Sequence, residues 1–596
     1  MTRSPAALAL LVLAGSCGGE QAEPVFASAS ASILREGGAL WVASPDDDAL
    51  VEIDAASLAE RGRVELEGAP VQLAAVGEAK VVGLARAAAF AWIEGGRATR
   101  HDAPCGGTGA VAALPDGSGL VACPNDDRLL RVGPEGVRQV LALPGRPSAL
   151  AVSGEDVIVA SSRGGLVHVL AVEDVLAAPA GLPPRSVPME TRALAPESGF
   201  AATRLHALAV DGRGGVALAY QRVDHDSDRD RPAERGGYGS VVDEAPRIEP
   251  RLLAPCGGRY ARFDGGPLAM SGPSALAWHG EAGLLWVAHR STGNVALVAC
   301  SAARGLAEPS PRRPRVLATW RVGRGPGGIA LSDDGRTAWV DVGFDHAVAR
   351  LVWDGVEGPH ALDAALRRPL GETRLSARAL EGRSVFFDAR DTHLTPSGVV
   401  SCASCHPGGG EDGLRWFLHT PGVERKLRRT PPAWGARPSL APYHWDGEFE
   451  EAERLALVTI RELMEGDGLL VDLEALAAFM AELPPPPPRP ADDPAAAARG
   501  EALFAERCES CHRDRVGADG AAHGLLPPSA DPDALMPAVH TPSLAGVRAR
   551  PPFLHDGRAP TLRAVLTDAN PADAHARTSD LDAAALADLL AYLETL

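Results

Sequence analysis

Short β-rich runs recur at a spacing of about 40 residues up to residue 370, and beyond it helical periodicity is broken by Pro- and Gly-rich loops. The second half of the chain also repeats itself once. These three observations predict a multidomain protein: an all-β propeller of six or seven blades at 17–370, followed by two mainly α domains at 371–490 and 491–596.

The segment before the propeller reads as an export signal at 1–16. Arg3 supplies the positive start, and Ala6 to Ala14 is apolar but far short of the roughly 20 residues a membrane helix needs. Cleavage before Cys17, within Ala14-Gly15-Ser16-Cys17, resembles the processing of bacterial lipoproteins, although Ala14 stands where Leu is usual. The expectation is a periplasmic or otherwise extracytoplasmic protein, held at a membrane only through lipid on Cys17. Net charge is −19, from 77 acidic and 58 basic side chains, so a polyanion is repelled over most of the surface and nucleic acid is not expected as a partner.

Within the propeller, the runs beginning at Ala39, Gly119, Leu284 and Thr337 each give a strand, an Asp/Gly turn and a second strand. Strands of the Ala-Leu-Ala kind precede most of them, at Ser148–Val152, Ala207–Val210, Ala275–Trp278 and Gly328–Leu331. The stretch from Gln221 to Arg251 reads as a surface insertion. Its alternating Asp224, Asp226, Asp228 and Asp230 could hold Ca²⁺, but Arg222, Arg229 and Arg231 neutralise much of that charge, and a solvated loop is the expectation. Of the nine cysteines, Cys105, Cys123, Cys256 and Cys300 lie in this region. An oxidising compartment allows three pairings, and order along the chain favours Cys105 with Cys123 and Cys256 with Cys300.

In the α domains, Leu473, Leu476, Phe479, Met480 and Leu483 recur at helical spacing, and so do Leu586, Leu589, Leu590, Leu593 and Leu596. Each stripe predicts a helix that closes a small domain. Between the domains, Pro484 to Pro494 contains five consecutive prolines and predicts a semi-rigid spacer. The duplication is explicit. Cys402-Ala-Ser-Cys405-His406, Thr430-Pro-Pro-Ala-Trp-Gly and Trp445-Asp446-Gly447 answer to Cys508-Glu-Ser-Cys511-His512, Thr541-Pro-Ser-Leu-Ala-Gly and His555-Asp556-Gly557. Trp445 is the counterpart of His555.

Two thiols three positions apart on one helical turn can each add to a porphyrin vinyl group, while the next imidazole reaches the iron. Cys402, Cys405, Cys508 and Cys511 are therefore expected to attach two covalently bound haem c groups, with His406 and His512 as proximal ligands. The competing reading is zinc shared between the motifs. The helical run Arg499 to Arg507 leading into Cys508, together with the export signal, favours haem and makes the α domains cytochrome c domains. The sixth ligand separates an electron carrier from a catalyst. For the first haem the candidates are His419, then His444; for the second, His575, then Met536 and His540. Each single histidine could equally bond a propionate or the backbone.

Residues 375–596 resemble the bacterial di-haem cytochrome c peroxidase family, which includes the di-haem enzyme that matures methylamine dehydrogenase. The resemblance rests on the two CxxCH motifs, Asp412-Gly413, Arg428 with Pro431, Trp445-Asp446-Gly447, Thr541-Pro542-Ser543-Leu544 and His555-Asp556-Gly557. It implies a peroxidatic N-terminal haem, a C-terminal haem where electrons enter, and Trp445 as the bridge between them. A carboxylate near the peroxidatic iron would move the proton of hydrogen peroxide, and Glu465 and Glu462 are the nearest in sequence. The chain departs from the family in two places. Ala569 stands where a Met or Tyr ligand of the second haem is common, which leaves that role to His575. Arg429 stands where an Asn helps bind Ca²⁺ between the domains, which argues against calcium.

The expected activity is a peroxidase-like oxidation, with a small redox protein or other electron donor as one partner and hydrogen peroxide or a protein substrate as the other. The propeller would bind the substrate or dock the partner. The alternatives are a protein-modifying oxidase, a purely electron-carrying lipoprotein with both irons six-coordinate, and a binding propeller whose haems only report redox state.

Overall fold

The computed structural model describes residues 25–195, 199–225, 248–256, 270–300, 305–306, 314–363, 367–371, 373–420, 423–434, 436, 438–514, 516–524, 529 and 534–596. The export signal with Cys17, and Asp226, Asp228 and Asp230, lie outside the described residues.

Seven mainly antiparallel sheets of four or five strands form a seven-bladed propeller, three of them carrying a short parallel strand. Their inner strands are Ile33–Glu36, Pro70–Val76, Val111–Ala113, Pro147–Ser153, Phe200–Val210, Pro273–His279 and Pro326–Leu331. The Ala-Leu-Ala runs lie on inner strands, where small and branched side chains favour close packing as the blades converge on the axis. Strand alternation buries one residue set against each neighbouring blade. One core cluster joins blades one and seven through Val42, Val51, Ala330 and Val348, so the ring is closed by packing. The insertion read at 221–251 is shorter than expected: Gln221 to Asp224 finish the strand Gly215–Asp224, and Ile248–Leu253 pairs with it as the next strand of blade five.

A short strand, Ala27–Ala29, pairs with Pro147–Ser153 on its axial side. Ser28 and Ser30 accept hydrogen bonds from the Ala113 and Val111 amides at 2.8 and 2.9 Å, and Ala31 bridges to Leu73. The chain's own N-terminal segment therefore occupies the propeller axis. Both favoured disulfides are present, Cys105–Cys123 and Cys256–Cys300.

One short helix, α1 (Val172–Ala177), lies in the propeller. The helical half contains α2 (Ala377–Phe387), α3 (Cys402–Cys405), α4 (Ala452–Glu462), α5 (Leu473–Glu482), α6 (Pro494–Arg507), α7 (Leu562–Leu566) and α8 (Ala583–Leu593). Asp472, Asp493 and Asp582 cap α5, α6 and α8 by accepting backbone N–H bonds. The duplication shows in the packing. In each copy a glycine of the opening helix meets a backbone carbonyl of the closing helix: Gly382 lies against Ala475, and Gly500 against Asp588. One turn later an aromatic fills the crossing, Phe386 against Phe479 and Phe504 against Tyr592. No described helix is long and apolar enough to cross a membrane.

The helical half rests on one face of the propeller. Arg383 of α2 pairs with Asp46, which His346 also contacts at 3.1 Å. Burial opposes the Asp46 charge, but the His346 and Arg383 contacts outweigh it and hold its carboxyl well below the usual range. On the other side Arg128 clamps Asp492 of the proline linker at 2.5 and 3.0 Å, and Arg548 meets Asp126 at 2.9 Å. Gly106, in the Ala-Pro-Cys-Gly-Gly string, has no room for a Cβ beside the Pro487 carbonyl. The linker is thus pinned to the propeller rather than free.

Candidate functional site

Helix α3 is a single turn that holds Cys402 and Cys405 on one side of a cavity of about 290 Å³. Phe386, Leu476, Met480 and Trp434 give it apolar walls. Arg428, Arg429 and Arg550 line it as well, and His540 to Ser543 of the second domain form part of its wall. Burial pushes the Cys402 thiol up to about 12 and the Cys405 thiol well above its ordinary value. His406 donates from Nδ1 to the Gly410 carbonyl at 3.1 Å. That bond fixes the tautomer and leaves Nε2 as a lone-pair donor. Burial, more than the Gly410 bond can offset, lowers His406 to about 4, so the ring is neutral at ordinary pH. Apolar walls, buried guanidiniums, two thiols and a neutral imidazole suit a porphyrin, which is an apolar macrocycle carrying two carboxylates. Zinc held structurally needs four converging protein donors, and the set that converges here among the described residues is three, His444, Asp446 and Glu448, apart from the thiols.

Among the expected distal groups, His444 lines the cavity, with Nδ1 3.1 Å from Glu448 Oε1. His419 lies on the strand Arg415–Thr420, and its side chain is outside the described residues. Glu465 and Glu462 are exposed and do not line the cavity. The carboxylates that do are Glu448 and Asp446, and the neighbour of Glu465 that faces inward is Met464, 6% exposed. Sequence distance misled here because Glu465, at φ 62°, sits in the left-handed turn after α4, which carries it outward.

Trp445 also lines the cavity. Its Nε1 donates to the Arg429 carbonyl at 2.7 Å, and its own carbonyl accepts from the His540 amide at 2.7 Å. It packs with Met536 and Val539, and its ring lies 6.4 Å from that of His555, its counterpart in the duplication. The two domains therefore meet at this pair. Arg429 itself is buried against Glu411 and the Arg550 carbonyl.

At the second site α6 runs directly into Cys508, and His512 lies 6.3 Å, ring centroid to ring centroid, from His575. A metal held at about 2.0 Å by one nitrogen of each ring would place the centroids about 6 Å apart. Burial lowers both histidines, His512 to about 4 with His575 contributing next. His575 is placed by Asn570, whose Oδ1 accepts its amide at 2.8 Å and whose Nδ2 donates to the Ala576 carbonyl at 2.8 Å. Asp573 pins the far end of that loop through Thr578 and Ser579. Met536 packs against Trp445 instead, and Ala569 packs in an apolar cluster with Val547 and Phe553. His540 belongs to the wall of the first cavity.

Residues 497–596 match the family model described as Cytochrome c. The methylamine utilization protein MauG of Methylorubrum extorquens is 30% identical over 271 residues, covering 35% of this chain and 74% of that protein. The protein of the same name from Methylophilus methylotrophus is 27% identical over 265 residues, 35% of this chain and 75% of its own length. Among solved structures, hydrazine synthase of Kuenenia stuttgartiensis is 13% identical and covers 58% of this chain with a TM-score of 0.39.

Proposed function

The chain belongs to the MauG family, and we propose that it is a di-haem oxidoreductase in which the two haem sites divide the work. The single observation that carries this reading is the asymmetry of the sites: an imidazole pair 6.3 Å apart at the second, and at the first an apolar cavity of about 290 Å³ where, among the described residues, the two imidazoles, His406 and His444, make no such ring contact. A site closed by two imidazoles favours electron transfer, whereas an open one admits a small reactant. Haem iron, when bound, supplies the one-electron and peroxide chemistry.

The chain's own residues do the rest. The four CxxCH thiols tether, and the Gly410 carbonyl and the Asn570 loop orient His406 and His575. Trp445 fills the space between the first cavity and the second domain. Glu448, hydrogen-bonded to His444 at the cavity wall, is the carboxylate we assign to hold and return a proton, in place of Glu465. The two propeller disulfides support an extracytoplasmic location, where lipid on Cys17 would anchor the chain. A small redox protein as electron donor, and hydrogen peroxide or a protein as substrate, suit these sites, with the propeller as docking domain.

Hydrogen peroxide added to the half-reduced full-length protein tests the reading. Prompt consumption of the reducing equivalent, with a spectral change at the first site, is expected. Unchanged spectra with both haems low-spin would instead establish the carrier.

A further inference from the structure

Where the helical half covers the propeller axis, a second and separate cavity of about 20 Å³ remains. The propeller contributes Arg146, Arg163, Thr203 and Arg204, and the loop after the first CxxCH contributes Glu411 and Asp412. That volume is enough for one water or one ion of similar size.

The charges around it do not balance. Asp127 holds Arg163 through both guanidinium nitrogens at 3.0 and 3.3 Å. Glu411 pairs with Arg429 and also attracts Arg146, while its Oε2 is buried without a donor, and Asp412 accepts from the Trp416 indole at 3.0 Å and the Leu414 amide at 2.9 Å; the three arginines of the lining outnumber these two carboxylates. Among the described residues no carboxylate pairs with Arg146 or Arg204. Among the described residues the one side-chain bond of Arg204 is a 3.5 Å contact to Ser291 Oγ. Thr203 is 2% exposed and its Oγ1 has no partner, and Gln221, directly opposite it in the blade, is fully buried with neither amide atom paired. His206, half-buried in the same region, is lowered to about 3 by burial and then by Arg204, Arg290 and Arg146.

The backbone adds an independent sign. Before their inner-strand prolines, blades two, six and seven place Ala69, Gly272 and Gly325 at φ between 57° and 68°. Blade four places Arg146 there at φ 64°, and blade five has Arg204 at φ 55°. A long charged residue in the left-handed region is strained relative to glycine, and such strain concentrates at functional positions.

We propose that this cavity is a halide-sized anion site, in which Arg146, Arg204 and the Thr203 hydroxyl hold one monoatomic anion between the propeller and the haem-bearing half. The ion would supply the missing negative charge and give Thr203 Oγ1 an acceptor. An unpartnered buried hydroxyl and two arginines that form no ion pair among the described residues, set around a compact void, are what such an ion requires.

The test uses the full-length holoprotein exchanged into sodium gluconate and titrated with sodium bromide or, separately, sodium phosphate at constant ionic strength. A saturable rise in melting temperature with bromide but not phosphate, and an anomalous bromide peak between Arg146 and Arg204 in crystals, are expected. Thr203→Val keeps the shape and should weaken bromide about tenfold while leaving the haem spectrum unchanged. Arg204→Gln should abolish the response. Equal behaviour in gluconate and bromide, a response to phosphate alone, a bromide response identical in Thr203→Val, or a lone water in the cavity would each overturn the assignment.

Discussion

Substituting Gly500 by Ala tests how the helix crossing supports the second site. A Cβ there would overlap the Asp588 carbonyl oxygen, 2.5 Å from its carbon and 2.9 Å from Tyr592 Cβ. Ordinary contacts are near 3.5 Å, so α6 and α8 must part by about 1 Å. Overpacking that a side chain can absorb costs about 1–3 kcal/mol. Here a helix backbone must yield, so the upper end, about 3 kcal/mol, is expected, lowering the melting temperature of a domain of about 100 residues by roughly 10–20 °C. Because α6 leads straight into Cys508, the spreading should also move His512 relative to His575 and weaken the low-spin signature of the second haem. Thermal melts followed in parallel by far-ultraviolet circular dichroism and by the haem Soret band measure both effects. Gly382→Ala, whose Cβ would lie 2.8 Å from Phe479 Cβ at the first crossing, should behave alike. A Gly500→Ala protein within about 0.5 kcal/mol of the parent, with an unaltered Soret band, would refute the reasoning.

Three further perturbations have defined outcomes. His575→Ala should convert the second haem from low-spin to high-spin while leaving the first unchanged, read by electron paramagnetic resonance. Trp445→Phe keeps the wall but leaves the Arg429 carbonyl without its 2.7 Å donor; a loss of about 1 kcal/mol and slower electron exchange between the haems are expected, read by denaturant melts and stopped-flow reduction. Asp341 is raised to about 6, chiefly by burial, which the Ser32 hydroxyl at 2.5 Å and then Arg290 only partly offset. The folded chain therefore holds a proton that the unfolded chain releases near pH 4, so this contribution to stability is present below about pH 4 and lost as pH rises through about 6. Asp341→Asn should remove up to about 3 kcal/mol of that slope in melts between pH 4 and 7.

Much of this was legible because it follows from local chemistry. The Ala-Leu-Ala runs and Asp/Gly turns announce inner strands and hairpins by period and turn preference alone. The apolar stripes of α5 and α8 behave likewise, and the CxxCH motifs state their own geometry. His575 was legible as the first candidate ligand of the second haem from residue type and position alone. What escaped depends on contacts distant in sequence. Glu448 and Met464 reach the first cavity through turns whose direction no periodicity encodes. The filling of the axis by Ala27–Ala29 joins residues more than 100 positions apart. The arginine pair at 146 and 204 looks like ordinary surface charge until the helical half is laid over it.

The central claim is that two covalently held haems occupy unlike sites in one chain. Electron paramagnetic resonance of the oxidised full-length protein, quantified against its haem content, tests it most directly. The account predicts two haems per chain, one low-spin with paired imidazoles and one high-spin beside the open cavity; a single haem, none, or two low-spin signals of equal intensity would contradict it.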